Sequence, residues 1–77
     1  MDDMTGEQYK KAIDHLGMSQ AGSGRFFGVH DDTPRKWISG RYPVPSTVEM
    51  LLLVMIHYSL TPENVMAIVH QDRVASH

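Results

Sequence analysis

Seventy-seven residues leave room for one domain near the lower size limit of a self-sufficient core, so every helix is needed to build it. With no cysteine, a disulfide framework and a thiolate metal site are both excluded, and a net charge of −2 argues against indiscriminate binding to phosphate. The start Met-Asp-Asp-Met-Thr lacks the basic and apolar regions of a signal peptide, and the apolar run from Met50 to Ile56 falls far short of the roughly 20 residues of a membrane span. A cytoplasmic chain with no membrane segment is the expectation.

Thr5 with Gln8 three residues on reads as a capping box, and Met4 can pack on Tyr9 as a hydrophobic staple. Tyr9, Ala12, Ile13 and Leu16 follow at the spacing of one apolar helical face, and Gly17 can supply a left-handed stop. A first helix is predicted from about Gly6 to Leu16. Ser19 then caps a second helix, about Gln20 to Phe27, which Gly28 and Val29 end with a turn toward a new direction. Gly22 and Gly24 each cost this helix about 1 kcal/mol relative to Ala. Gly24, four residues before Gly28, can be explained by a close approach of the next helix; nothing in the sequence explains Gly22. Phe26 and Phe27 are adjacent, so one serves the core and the other is free for an interface.

The third helix ends at Ser39-Gly40, with Trp37 on its inner side and Arg35 and Lys36 on its outer side. Its start is open between two readings: Asp31 or Asp32 as the cap with Pro34 in the first turn, or Thr33 as the cap with Pro34 first. Arg41-Tyr42-Pro43-Val44-Pro45 is an extended connector, because each Pro disfavours helix at its own position and at the one before it. Ser46 with Glu49 suggests a second capping box, followed by Val48, Leu51, Leu52, Met55 and Ile56 as a broad apolar face. After a break at Tyr58-Ser59-Leu60, Thr61-Pro62-Glu63 opens a fifth helix carrying Val65, Met66, Ile68 and Val69 to about His70. Residues 71–77 are polar and expected to fray. The chain thus reads as a single all-α domain, residues 1–77, with a helix-turn-helix at 19–40 and C-terminal helices at 46–70.

Charge is distributed unevenly along this chain. Asp2, Asp3, Glu7 and Asp14 against Lys10 and Lys11 leave the first 18 residues at −2. Arg25, Arg35, Lys36 and Arg41 against Asp31 and Asp32 leave residues 19–45 at +2, and Glu49, Glu63 and Asp72 against Arg73 return the remainder to −2. The positive segment coincides with the helix-turn-helix, where a charge excess suits phosphate.

Leu16-Gly17-Met18-Ser19-Gln20, Gly28-Val29-His30, Trp37-Ile38-Ser39-Gly40 and Pro43-Val44-Pro45 together resemble the lambda-repressor-like, Cro-type helix-turn-helix regulators of bacteria and phages, over about residues 5 to 58. The resemblance implies a five-helix DNA-binding domain whose third helix enters the major groove, acting as a small transcriptional regulator without a cofactor. It implies that Gln20 contacts phosphate or a base edge. His30, Asp31 and Asp32 then form the leading edge of the recognition helix, with Arg35, Lys36 and Ser39 one turn on. Arg35 is the best base reader, since its planar fork can pair bidentately with guanine, while Arg41 and Tyr42 suit the backbone.

Two features depart from the family. Pro34 stands where a branched aliphatic residue is usual, and is expected to remove an amide and one core side chain, so that valine there would stabilise the fold. The Asp31-Asp32 pair would repel phosphate unless one caps the helix and the other accepts from a cytosine amino group.

No nucleophile with a base, paired acids or phosphate loop is visible, so no enzyme is expected; Gly22-Ser23-Gly24 lacks the Lys-Ser or Lys-Thr of a phosphate loop. The five histidines have no metal-ligand spacing. Apolar residues beyond what one core needs, Met50, Val54 and Tyr58 on the fourth helix and Val65, Met66, Ile68 and Val69 on the fifth, predict a homodimer through the C-terminal helices. The rival class is an interaction module, such as an antitoxin, that keeps the helix-turn-helix shape but binds a protein.

Overall fold

The computed structural model describes residues 4–75; residues 1–3, among them Asp2 and Asp3, and residues 76–77 lie outside it. The described chain is all-helical, with α1 at Gly6–His15, α2 at Gln20–Phe27, α3 at Thr33–Ile38, α4 at Ser46–His57 and α5 at Pro62–Ala75.

Local chemistry sets the first two helices. The Thr5 hydroxyl accepts from the Gln8 amide at 3.1 Å, and the Gln8 side chain accepts from the Thr5 amide at 2.9 Å, so two of the orphan donors of α1 are satisfied reciprocally. Leu16 caps the far end of α1, and the Met18 amide folds back onto the Ile13 carbonyl at 2.8 Å. The Ser19 hydroxyl accepts from the Gly22 amide at 3.0 Å to start α2. Gly28 ends it at φ 73°, a left-handed conformation that glycine adopts without a Cβ clash, and the Val29 amide closes on the Gly24 carbonyl at 2.9 Å.

Tyr9 of α1 joins these helices to the third. Its ring meets Trp37 of α3 edge-on, with centroids 5.3 Å apart and planes at 78°. Its hydroxyl donates to Ser23 Oγ at 2.6 Å, and Ser23 in turn donates to the Gln20 carbonyl at 2.7 Å. Burial pushes the Tyr9 phenol above the usual tyrosine pKa, with the Ser23 hydrogen bond opposing that rise. Around this pair, Ala12, Ile13, Val44, Val48 and Leu52 close the core, and Met4, Leu16, Met18, Phe27, Val29, Ile38 and Ile56 pack on its margin. The start of α1 lies directly on the end of α3: a Cβ at Gly6 would run into the carbonyl oxygens of Trp37 and Ile38.

Several expectations are corrected. The Ser46–Glu49 capping box does not form, because α4 begins one residue earlier than that box requires: Pro45 is the cap, at φ −59° and ψ 144°, and Ser46 is already inside the helix. Glu49 is buried, and its amide bonds the Pro45 carbonyl at 3.0 Å. The fifth helix runs to Ala75 rather than fraying after His70. Thr61 caps its start, as the sequence suggests, through a reciprocal pair in which the Thr61 amide donates to Asn64 Oδ1 at 3.1 Å and the Asn64 amide to the Thr61 hydroxyl at 3.0 Å. Gly22 also acquires a local reason, since a Cβ there would crowd the Ser19 hydroxyl that caps the helix.

Pro34 departs most from its expected role. The capping residue of α3 is Asp32, which places Pro34 at the second helical position, where its missing amide would have had no intrahelical acceptor. The ring is fully buried and packs where Gly24 leaves room: a Cβ on Gly24 would come within 3.2 Å of Pro34 Cγ. Pro34 is therefore itself a core side chain between α2 and α3.

The C-terminal part is different in kind. α5 makes at most marginal contact with the other helices and leaves α4 at a bend of 108°, which draws the molecule out to 40 Å along its longest axis. Among the described residues no single helix is long and apolar enough to cross a membrane.

Two substitutions test this packing. Gly6→Ala meets backbone rather than a movable side chain, so it should destabilise the fold by about 1–3 kcal/mol, read as a fall in Tm of roughly 4–8 °C for each kcal/mol. Pro34→Val should lower stability by about 1–3 kcal/mol, because it buries a new amide and loosens the unfolded chain. A rise in Tm for Pro34→Val would restore the view that proline is a defect here.

Candidate nucleic-acid interface

The polar residues singled out from the sequence fall into two groups around α3, with Gln20 apart at the start of α2. Gln20 is exposed, and its carbonyl is held by Ser23, so the Tyr9–Ser23 chain fixes the backbone from which it projects.

The first group lies where the chain enters α3. The His30 carbonyl accepts from the Thr33 amide at 2.9 Å, closing the turn. The His30 ring accepts from the Asp32 amide through Nδ1 at 3.1 Å, and the same nitrogen lies 4.0 Å from Asp32 Oδ2. The amide contact is the shorter of the two, and the carboxylate stands at the 4.0 Å limit of an ion pair. Asp32 caps the helix by position only: its side chain bonds no first-turn amide, contrary to the capping role expected for one of the two acids. Asp31 does not cap either. Its Oδ2 lies 3.6 Å from Nη1 of Arg25 on α2, which makes Arg25 the residue that sequence reasoning missed. A cation six residues before an acid, across a glycine turn, was the available signal.

The second group is organised by one carbonyl. Gly40 turns the chain at φ 82°, and the amides of Arg41 and Tyr42 both return to the Lys36 carbonyl, at 3.0 and 3.2 Å. The Ser39 hydroxyl donates to the same oxygen at 3.1 Å, which leaves that hydroxyl its acceptor capacity only. Lys36 is half-buried, with Nζ 5.7 Å from the centre of the Tyr42 ring, a cation–π arrangement that ties the loop to the helix. Arg35, Ser39, Arg41 and Tyr42 are exposed. Among the described residues neither Arg35 nor Arg41 has an acidic partner within 4.0 Å.

The structure thus brings Lys36, Ser39, Arg41 and Tyr42 onto one turn, and sets His30 beside Asp32 at the opposite end of α3. Arg35 lies between them, exposed, while Pro34 and Trp37 of the same helix are buried. Among the described residues no three His, Asp or Glu side chains converge on a metal-ion position. No protein-family model, curated protein or solved structure matches the chain.

Proposed function

We propose that this chain is a sequence-specific double-stranded DNA-binding protein, a small transcriptional regulator of the lambda-repressor-like helix-turn-helix type, with α3 lying in the major groove. The observation that carries the reading is the two-sidedness of α3: Pro34 and Trp37 anchor it inward, while Arg35, followed by Arg41 in the next turn, presents uncompensated cationic forks outward. With side chains an α-helix is about 10–12 Å across, which matches a major groove about 12 Å wide. Gln20, Arg41 and Tyr42 take the phosphates on this reading, His30, Asp32 and Arg35 face base edges, and Ser39 offers an acceptor. Lys36 contributes its charge at the groove wall while its stem packs against the loop. The role is that of a binding protein rather than an enzyme.

The protein acts, on the same reading, as a homodimer through α4 and α5. Met50, Leu53 and Val54 of α4, Tyr58 at its end, and Met66, Ile68 and Val69 of α5 are exposed, Tyr58 at 68% and Ile68 at 58%. Large apolar side chains exposed in this number on a small domain are what an interface would cover. A two-fold pair would set two copies of α3 one DNA turn apart, about 34–36 Å. The same surface supports the competing reading, in which its occupant is a different protein, such as a toxin.

Three measurements separate these outcomes. Arg35→Ala should cost about 1–3 kcal/mol on the preferred duplex and relax one base position. Arg41→Ala should weaken all duplexes alike and reduce the slope of log affinity against log salt by about 1. Equal losses for both variants on specific and random duplexes would refute the assigned roles, and a wild-type chain that shifts no duplex at low salt would leave the protein-partner reading. For assembly, sedimentation at micromolar concentration should give a dimer that Met66→Glu converts to monomer; a monomer in both cases removes the dimer.

A further inference from the structure

The two carboxylates at the start of α3 are not equivalent. Asp31 already has a counter-ion, Arg25, at 3.6 Å. Asp32 has none: its side chain is 62% exposed, takes no amide of the first turn, and faces His30 Nδ1 at 4.0 Å, a nitrogen already accepting the Asp32 amide.

Two local causes leave this carboxylate unengaged. A capping side chain accepts from the second or third amide of its helix, and here the second residue is Pro34, which has no N–H. The Asp32 backbone, at φ −80° and ψ −15°, is also helical rather than extended, which is not the conformation from which a cap side chain reaches back over the first turn. The proline that fills the core between α2 and α3 thus also removes one of the two amides that could have engaged this acceptor, and the helical backbone of Asp32 turns its side chain away from the other.

Arg35 follows three residues later on the same exposed face of α3. Residues so spaced have Cβ atoms about 5–6 Å apart, and successive bases of one strand are about 3.4 Å apart along the duplex axis. An acceptor-only carboxylate and a donor-only guanidinium therefore reach bases one or two steps apart. In the major groove cytosine and adenine present amino donors, whereas guanine and thymine present carbonyl acceptors. A carboxylate is attracted to the first pair and repelled by the second, and a guanidinium fork matches guanine O6 and N7.

We propose that Asp32 and Arg35 are paired specificity-determining residues, a refinement that rests on the DNA-binding reading: Asp32 accepts from the exocyclic amine of cytosine or adenine, and Arg35 donates to a guanine within two base pairs of it. Asp32 is then a selecting group rather than a defect in the positive face, because its charge penalises every register that offers it a keto base or a phosphate.

Selection of bound sequences from a random duplex library tests this, run on the wild-type chain and on Asp32→Asn, Asp32→Ala, Asp31→Asn and Arg35→Ala, each checked for an unaltered thermal transition. The wild-type motif should hold a C or A one or two positions from a G. Asp32→Asn should shift the first position toward adenine, which asparagine can bind bidentately, and leave the guanine. Asp32→Ala should flatten that position alone. Arg35→Ala should flatten the guanine alone, with a loss of preference of about 5- to 150-fold, and Asp31→Asn should leave both positions as they were. If both Asp32 variants instead bind every duplex more tightly with an unchanged motif, Asp32 only repels phosphate and the inference fails while the DNA-binding reading stands. If the wild-type chain enriches no sequence and binds no duplex at low salt, both fail together.

Discussion

Tyr9 is the residue through which the first three helices become one body. Its ring edge rests on Trp37 of α3 and its hydroxyl is bonded to Ser23 of α2, so one side chain on α1 fixes both helices of the candidate interface. The aromatic pair is worth about 0.5–1.5 kcal/mol beyond its buried area, and the hydrogen bond about as much. Those sums are large for a chain this short, whose core is a single cluster. The bare Gly6 backbone lets α1 come down onto the end of α3, one turn from where the Tyr9 ring meets Trp37.

The surface that this scaffold presents is electrically mixed, and the mixing has structure. Arg25 is committed to Asp31, and Lys36 leans over Tyr42, while Arg35, Arg41 and Asp32 remain open to an outside partner. An excess of cations by itself would favour any phosphate backbone, and the net charge of −2 works against that. Pro34 connects this electrostatic pattern to the packing. One ring occupies the gap that Gly24 leaves between α2 and α3, and its lack of an amide takes away one of the two donors that a capping Asp32 carboxylate could use.

The C-terminal helices follow another logic. The inner face of α4 is consumed by the core, with Leu52 and Met55 fully buried, but its outer face carries Met50, Leu53 and Val54 into solvent. α5 turns away through 108° and finds little to pack against, although it carries Met66, Ile68 and Val69 in exposed positions. The Thr61–Asn64 cap fixes the start of this helix, and helices in proteins owe most of their stability to the packing of an apolar face.

Much of this architecture could be read from the order of residues, because short-range rules govern it. Caps at Thr5 and Ser19, the left-handed glycines at 17, 28 and 40, and the inward spacing of Tyr9, Ala12, Ile13 and Trp37 depend on neighbours within a few positions. The all-helical class and the exposed positions of Gln20, His30, Asp32, Arg35, Ser39, Arg41 and Tyr42 followed from the same rules. What the sequence left open were choices between two local solutions of similar energy, which distant residues decide. Whether Asp32 or Thr33 caps α3 turned on the ring of Pro34 finding Gly24, ten residues earlier in the chain. Whether Arg25 stayed a free cation turned on the fold bringing Asp31 to it. In each case the deciding contact crosses between elements, and periodicity within one element cannot encode which atoms another element will bring.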